Sequence, residues 1–129
     1  MINKQRLINH FIRYVKTDSL SKQEGRFAAL IKKELRKLGL KYQEDSAGRR
    51  IQGQSGNLFT TVRGNVKGVP RILLNAHIDT VVPGENIRPR IRKEIITSNG
   101  KTILGADNKA GVAVLIEVLR IIKEKRLAH

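Results

Sequence analysis

A histidine and an aspartate one residue apart, His77 and Asp79, stand where an apolar run gives out, and another aspartate, Asp107, stands at a glycine-flanked turn further along. Ile72, Leu73 and Leu74 read as a strand buried on both faces. Residues i and i+2 of a strand point the same way. The imidazole of His77 and the carboxylate of Asp79 should therefore lie side by side at the strand's carboxyl end, where open α/β sheets place their ligand sites. That is a metal-ligand arrangement, with Asp79 able to hold the second ring nitrogen of His77. Asp107 lies in the stretch LGADNKAG, between short apolar Ile103 and Leu104 and a long apolar run, so it marks a strand-to-helix junction. Gly105 and Gly111 let the backbone turn and pack closely there. A carboxylate so placed, near a histidine on another strand end, can bridge two divalent cations in a hydrolytic site. Taken singly, each group has a plainer explanation: a strand-end histidine satisfied by Asp79, and an aspartate that caps a helix.

The elements that must position these groups follow from periodicity. Apolar residues at Leu7, Ile8, Phe11, Ile12 and Val15 make residues 2–16 a one-sided helix, stopped by Thr17, Asp18 and Ser19. Ser21 and Glu24 have capping-box spacing and open a second helix, with Phe27, Leu30, Ile31, Leu35 and Leu38 inward and Gly39 as its C-terminal cap. His10, among charged neighbours, reads as a surface residue. Residues 40–44 read as an edge strand and 57–63 as a second strand. Residues 91–97 and 101–104 read as a hairpin turning at Asn99-Gly100. The last helix runs from Asn108 or Lys109 to about Lys125 and is apolar nearly all round over 112–122, a pattern of burial on several sides. Lys109 reads as structural or surface. The Arg88, Arg90, Arg92 and Lys93 cluster reads as a solvated hairpin, with a substrate carboxylate as the sharper alternative.

The totals narrow the classes. A chain of 129 residues with 40% hydrophobic residues is a single globular domain's worth. It has no cysteine, which excludes disulfides and thiolate zinc sites. No segment has signal-peptide or membrane-span character, so the expected setting is soluble and cytoplasmic. The net charge of +15 raises the prospect of a nucleic-acid partner. Against it, the basic residues are scattered over several elements, and three Phe, two Tyr and no Trp offer few stacking platforms.

His77-Ile78-Asp79-Thr80-Val81 with Pro83-Gly84, followed by Leu104-Gly105-Ala106-Asp107-Asn108-Lys109-Ala110-Gly111, resembles the signature of the peptidase T-like branch of the co-catalytic zinc peptidases, relatives of aminoacylases, carboxypeptidase G and succinyl-diaminopimelate desuccinylase. The resemblance extends to the opening helices and to Ser55-Gly56-Asn57-Leu58. It implies an α/β fold: the N-terminal part of a three-layer, phosphorylase/hydrolase-like zinc-peptidase fold, with two N-terminal helices, a mixed sheet and a buried C-terminal helix. Residues 1–129 would be the N-terminal portion of the catalytic domain, without the lid or dimerisation domain.

The resemblance also implies roles. His77 would ligate one zinc, Asp107 would bridge two, and Asp79 would serve catalysis by orienting His77 without touching metal; cobalt or manganese would suit the same donors. The Asp107–Asn108 peptide would be cis. Many relatives carry a second aspartate where this chain has Asn108. The implied activity is that of an aminopeptidase or tripeptidase in which metal-activated water attacks the carbonyl of a small peptide. The family's adjacent glutamate pair, its further acidic ligand and its distant histidine have no counterpart here. Glu117 and Glu124 fall within the last helix, and His129 is terminal and unsupported. The chain by itself is therefore expected to be inactive. The alternative is a non-catalytic remnant that binds metal weakly or self-associates as a homo-oligomer, and a basic nucleic-acid binder ranks third.

Overall fold

Asn3 opens α1 (Lys4–Val15) by accepting the Arg6 N–H on its side-chain oxygen at 2.9 Å, an N-cap that satisfies one of the helix's orphan donors. The computed structural model describes residues 2–129. The apolar stripe of α1 turns Tyr14 and Val15 fully inward, and the helix packs on α4 (Ala106–Lys125). Arg6 ties the two together: its Nε and Nη2 each donate at 2.8 Å to the buried Glu117, and Nη1 donates at 2.9 Å to Glu124. Both glutamates of the last helix are thus occupied structurally.

Helix α2 (Gly25–Lys37) buries Phe27, Ala28, Ile31 and Leu35. It ends in a Schellman motif, with Leu40 N–H donating to Leu35 at 3.0 Å and Gly39 N–H to Arg36 at 2.9 Å. Gly39 sits at φ +67°, a conformation that strains a side chain and explains the glycine. The expected capping box at its start does not form. Glu24 occupies the cap position with no side-chain bond to the helix, its carboxylate accepting the Lys22 N–H instead, and Ser21 donates its hydroxyl to the Asp79 carboxylate.

Tyr14, Phe27, Ile31, Leu35, Leu38, Leu40, Val112, Ala113 and Ile116 form one core cluster. Phe27 meets Tyr14 edge-to-face, with ring centroids 5.4 Å apart. His10 is enclosed rather than on the surface, because one turn along α1 its ring stacks on Tyr14 at 5.8 Å; desolvation lowers its pKa.

The buried carboxylate of Glu34 collects Arg13, Arg120 at 3.5 Å, Lys37 at 3.6 Å and His10 at 4.0 Å. Burial alone would raise its pKa, but the Arg13 hydrogen bond and the surrounding positive charge outweigh it and hold the carboxyl below the usual range. A native pKa below the unfolded one contributes stability that is present above the unfolded value and is lost as pH falls through the native one. Glu34→Gln should therefore cost about 2–3 kcal/mol at neutral pH and much less at pH 3. A fully buried pair would cost more, but the half-exposed Arg13 rehydrates. Urea unfolding at the two pH values checks this, and an equal cost at both would refute it.

The sheet expectation needs correction. Among the described residues, instead of one mixed sheet, two two-stranded antiparallel sheets form: β1 (Tyr42–Glu44) with β2 (Leu58–Thr60), and β3 (Arg90–Arg92) with β4 (Ile95–Thr97); α3 (Ala47–Arg50) joins β1 to β2. The hairpin turns at Lys93 and Glu94, not at Asn99-Gly100: Ile91 opposes Ile96, and Lys93 takes φ +54°. Residues 101–104 do not return to it because Ile103 N–H bonds Pro83 at 3.0 Å. Arg88, Arg90, Arg92 and Lys93 are exposed, as a solvated hairpin requires.

Residues 72–74 form no strand and are not buried. Ile72 and Leu73 are 80% and 85% exposed, since no described strand pairs with them; the segment's one bridge is the parallel Leu20–Thr80 pair. Helix α4 likewise buries one side, through Lys109, Val112, Ala113, Ile116 and Glu117, and leaves Val114 in solvent. No helix of the described residues is long and apolar enough to cross a membrane.

Candidate metal centre

The three residues marked by the sequence do come together. His77 Nδ1 lies 3.0 Å from the Asp79 carbonyl oxygen and 3.1 Å from Asp79 Oδ1, and His77 Nε2 lies 3.0 Å from Asp107 Oδ1. The i, i+2 alternation thus sets His77 and Asp79 side by side even without a ladder. With Asp79 accepting from Nδ1–H, Nε2 is the nitrogen that would turn a lone pair to a cation once it gives up the proton it shares with Asp107.

Asp107 owes its freedom to its neighbour. Asp107 and Asn108 have non-helical backbone angles, and the peptide between them is cis, as the resemblance implied. The regular helix begins at Lys109. Asn108 is its cap: the Asn108 Oδ1 accepts the Gly111 N–H at 3.1 Å. A Cβ on Gly111 would stand 2.1 Å from that oxygen, so the cap needs glycine there. The plainer reading of Asp107 as a helix cap is thereby excluded, and its side chain is 95% exposed. Asn108→Ala should cost about 1 kcal/mol, while Asn108→Asp keeps the acceptor and favours the helix dipole. Thermal melts of the two variants test this; equal loss in both would mean Asn108 is not a cap.

The electrostatics favour positive charge at this centre. Burial lowers the His77 pKa, but the bonds to Asp107 and Asp79 outweigh it and the net shift is upward. The Asp79 carboxyl is held low, first by the Ser21 hydroxyl, which donates to Oδ2 at 2.5 Å, and further by His77. Two donors each about 2.0–2.2 Å from one zinc lie about 3.3–3.6 Å apart at the tetrahedral angle, so the 3.0 Å between His77 Nε2 and Asp107 Oδ1 would open by a few tenths of an ångström in shared coordination. Among the described residues no group of three or more His, Cys, Asp or Glu side chains is placed to hold a metal. His129 is held away, its backbone bonded to Asn65 and Val66. Two surface clefts, one around Glu44, Asp45 and Ser55 and one around Val62, Ile122 and His129, contain none of the three residues.

Two residues at this centre escaped sequence reasoning. Ser21 looked like a helix cap, and nothing local links it to Asp79, 58 positions away. Lys109 is fully buried, with its Nζ donating to the Thr17 carbonyl at 2.6 Å and lying 4.9 Å from the Phe27 ring centroid. A lysine inside a glycine-rich turn carries no signal of burial.

The backbone superposes on a tripeptidase from Staphylococcus aureus subsp. aureus Mu50 with a TM-score of 0.94 and 41% identity, over 100% of this chain and 35% of that one. The aminopeptidase PepT of Bacillus cereus ATCC 10987 gives 0.94 and 41% over 99% of this chain and 34% of that one. Over its whole length the chain is thus similar to peptidases of the peptidase T type. Its mixed α/β architecture matches part of a peptidase fold. Among curated proteins, the chain is 35% identical over its full length to an uncharacterised protein, YqjE, of Bacillus subtilis strain 168. It is 30% identical over 98% of its length to Peptidase T of Shewanella woodyi. It spans 34–39% of the length of these relatives. No family model matches it.

Proposed function

We propose that the chain supplies the N-terminal half of a two-metal centre for the hydrolysis of small peptides, tripeptides among them. In this reading His77 binds one zinc ion, Asp107 spans two, and Asp79 orients His77. The observation that carries it is the His77 Nε2–Asp107 Oδ1 approach with Nδ1 already tied to Asp79, in a chain similar to peptidases throughout. When bound, divalent cations would lower the pKa of a water to near neutrality and polarise the scissile carbonyl. This chain's own residues hold the donors: Asp79 fixes the ring orientation and leaves Nε2 free, and Asn108 leaves both Asp107 oxygens unengaged by the helix. Cobalt or manganese fits the same donors.

No general base is among the residues gathered there, so the 129-residue chain should show no chelator-sensitive cleavage of tripeptides. An enzyme-like, chelator-sensitive rate from the purified chain would overturn this division of the site.

A second reading, self-association, is favoured by one observation. Residues 72–74 present unpaired backbone together with exposed Ile72, Leu73 and Leu74, the edge that natural sheets protect. A second copy pairing through this segment satisfies both. Sedimentation should then show concentration-dependent dimers that Leu73→Lys abolishes, and a monodisperse monomer at high concentration would reject it.

A further inference from the structure

The 17–21 loop carries no residue that the proposed chemistry uses, yet both halves of the centre are fastened to it. From one side, Lys109 reaches back from the first turn of α4 and donates its Nζ to the Thr17 carbonyl at 2.6 Å. That carbonyl lies just past the C-terminus of α1, where helix carbonyls favour a cation. The ammonium is further stabilised by the face of Phe27 at 4.9 Å. From the other side, Thr80 N–H donates to Ser19 O at 2.8 Å and Ser21 N–H to Thr80 O at 3.2 Å. Ser21 Oγ then donates to Asp79 Oδ2 at 2.5 Å. Asn86 N–H adds a bond to Asp18 Oδ1 at 2.8 Å. Lys109, Ser19 and Thr80 are all buried, so the Lys109–Thr17 and Thr80–Ser19 bonds are shielded from competing water, while the Ser21–Asp79 and Asn86–Asp18 bonds lie at the surface.

Asp107 and Asp79 therefore hang from one short loop by opposite ends. Apart from the His77–Asp107 contact itself, the two motifs are joined by Ile103 N–H to Pro83 O, further out along both segments. The groups that face the Lys109 ammonium come from two elements: the Phe27 ring of α2, and the Thr17 carbonyl and Asp18 carboxylate of the 17–21 loop.

We infer that the 17–21 loop is a bracket that sets the separation of His77 and Asp107, with Lys109 and Ser21 as its positioning residues. Neither touches a metal. Lys109 fixes where α4 starts and so where Asp107 stands. Ser21 fixes the Asp79 carboxylate and so the ring of His77. The inference builds on the metal-centre reading, but its first test does not depend on metal.

Lys109→Met keeps the length and apolar stem of the side chain and removes the ammonium. In the 129-residue chain, NMR hydrogen exchange should show the Thr80 and Ser21 amides losing at least about tenfold of their protection, while Leu35 in the middle of α2 stays as in wild type. Unchanged exchange at Thr80 and Ser21 overturns the bracket. Should Lys109→Met fail to fold, Ser21→Ala decides, because Ser21 is exposed and the change is small. Its expected signature is a displaced ¹⁵N resonance of His77 Nδ1, and an unmoved resonance overturns the inference. With cobalt(II) added, both variants should bind about tenfold more weakly than wild type, a loss that a purely structural role would not produce in a folded variant. A wild-type chain that binds no cobalt(II) would sink the metal-centre reading and leave the bracket to be judged on exchange alone.

Discussion

His77→Ala should abolish divalent-metal binding by the chain, a loss of more than about 100-fold, whereas Asp79→Asn should weaken it about 10- to 100-fold. The two effects differ because the residues stand at different removes from the cation. In the proposed centre His77 Nε2 and Asp107 Oδ1, 3.0 Å apart, would be the donors, and the loss of either of two protein ligands would leave nothing to chelate. Asp79 acts on the other ring nitrogen. An asparagine there can still bond Nδ1, but it no longer enforces the proton on that nitrogen or supports the ring with negative charge. Cobalt(II) titration followed by visible absorption reads both variants. Undiminished binding by His77→Ala would place the metal elsewhere and remove the basis of the proposed function.

Phe27→Ala should destabilise the fold by about 3–5 kcal/mol. The ring is fully buried, packs edge-to-face on Tyr14, and lies beneath the Lys109 ammonium. Truncation opens a cavity and takes away the aromatic face, worth about 1–2 kcal/mol to a desolvated cation. For a domain whose total stability is about 5–15 kcal/mol, that is a large share. Phe27→Leu keeps most of the volume and should cost less than half as much. Coupling between the two groups should be visible as non-additivity: the loss in Phe27→Ala, Lys109→Met falls short of the sum of the single losses. Denaturant unfolding measures all four proteins, and strict additivity would show that the ring does nothing for the ammonium.

Much of the centre was legible before any tertiary contact was known, and the legible parts are those set by local geometry. Period-two alternation puts His77 beside Asp79 whether or not the strand finds a partner. The switch to a long apolar run puts Asp107 at the mouth of a helix, and Gly39 marks the end of α2 because its left-handed backbone closes a Schellman motif. Where local signals competed, sequence gave no arbiter. Asp107 and Asn108 are both good caps, and the choice of Asn108 follows from which side chain reaches the Gly111 N–H. Asn99-Gly100 is a strong turn signal, yet the hairpin closes at Lys93, since residues 101–104 are drawn toward Pro83.

The sequence by itself determined the three long helices, the pairing of His77 with Asp79 and the junction that carries Asp107, because propensity, capping and periodicity act within a few residues. Only the tertiary structure decided that Ser21 serves Asp79, 58 positions away, and that Lys109 is buried against Thr17, 92 positions away. It also decided that residues 72–74 meet solvent instead of a sheet. A hydroxyl, an ammonium and an apolar strand each accept many partners, and chain folding alone selects which one lies within reach.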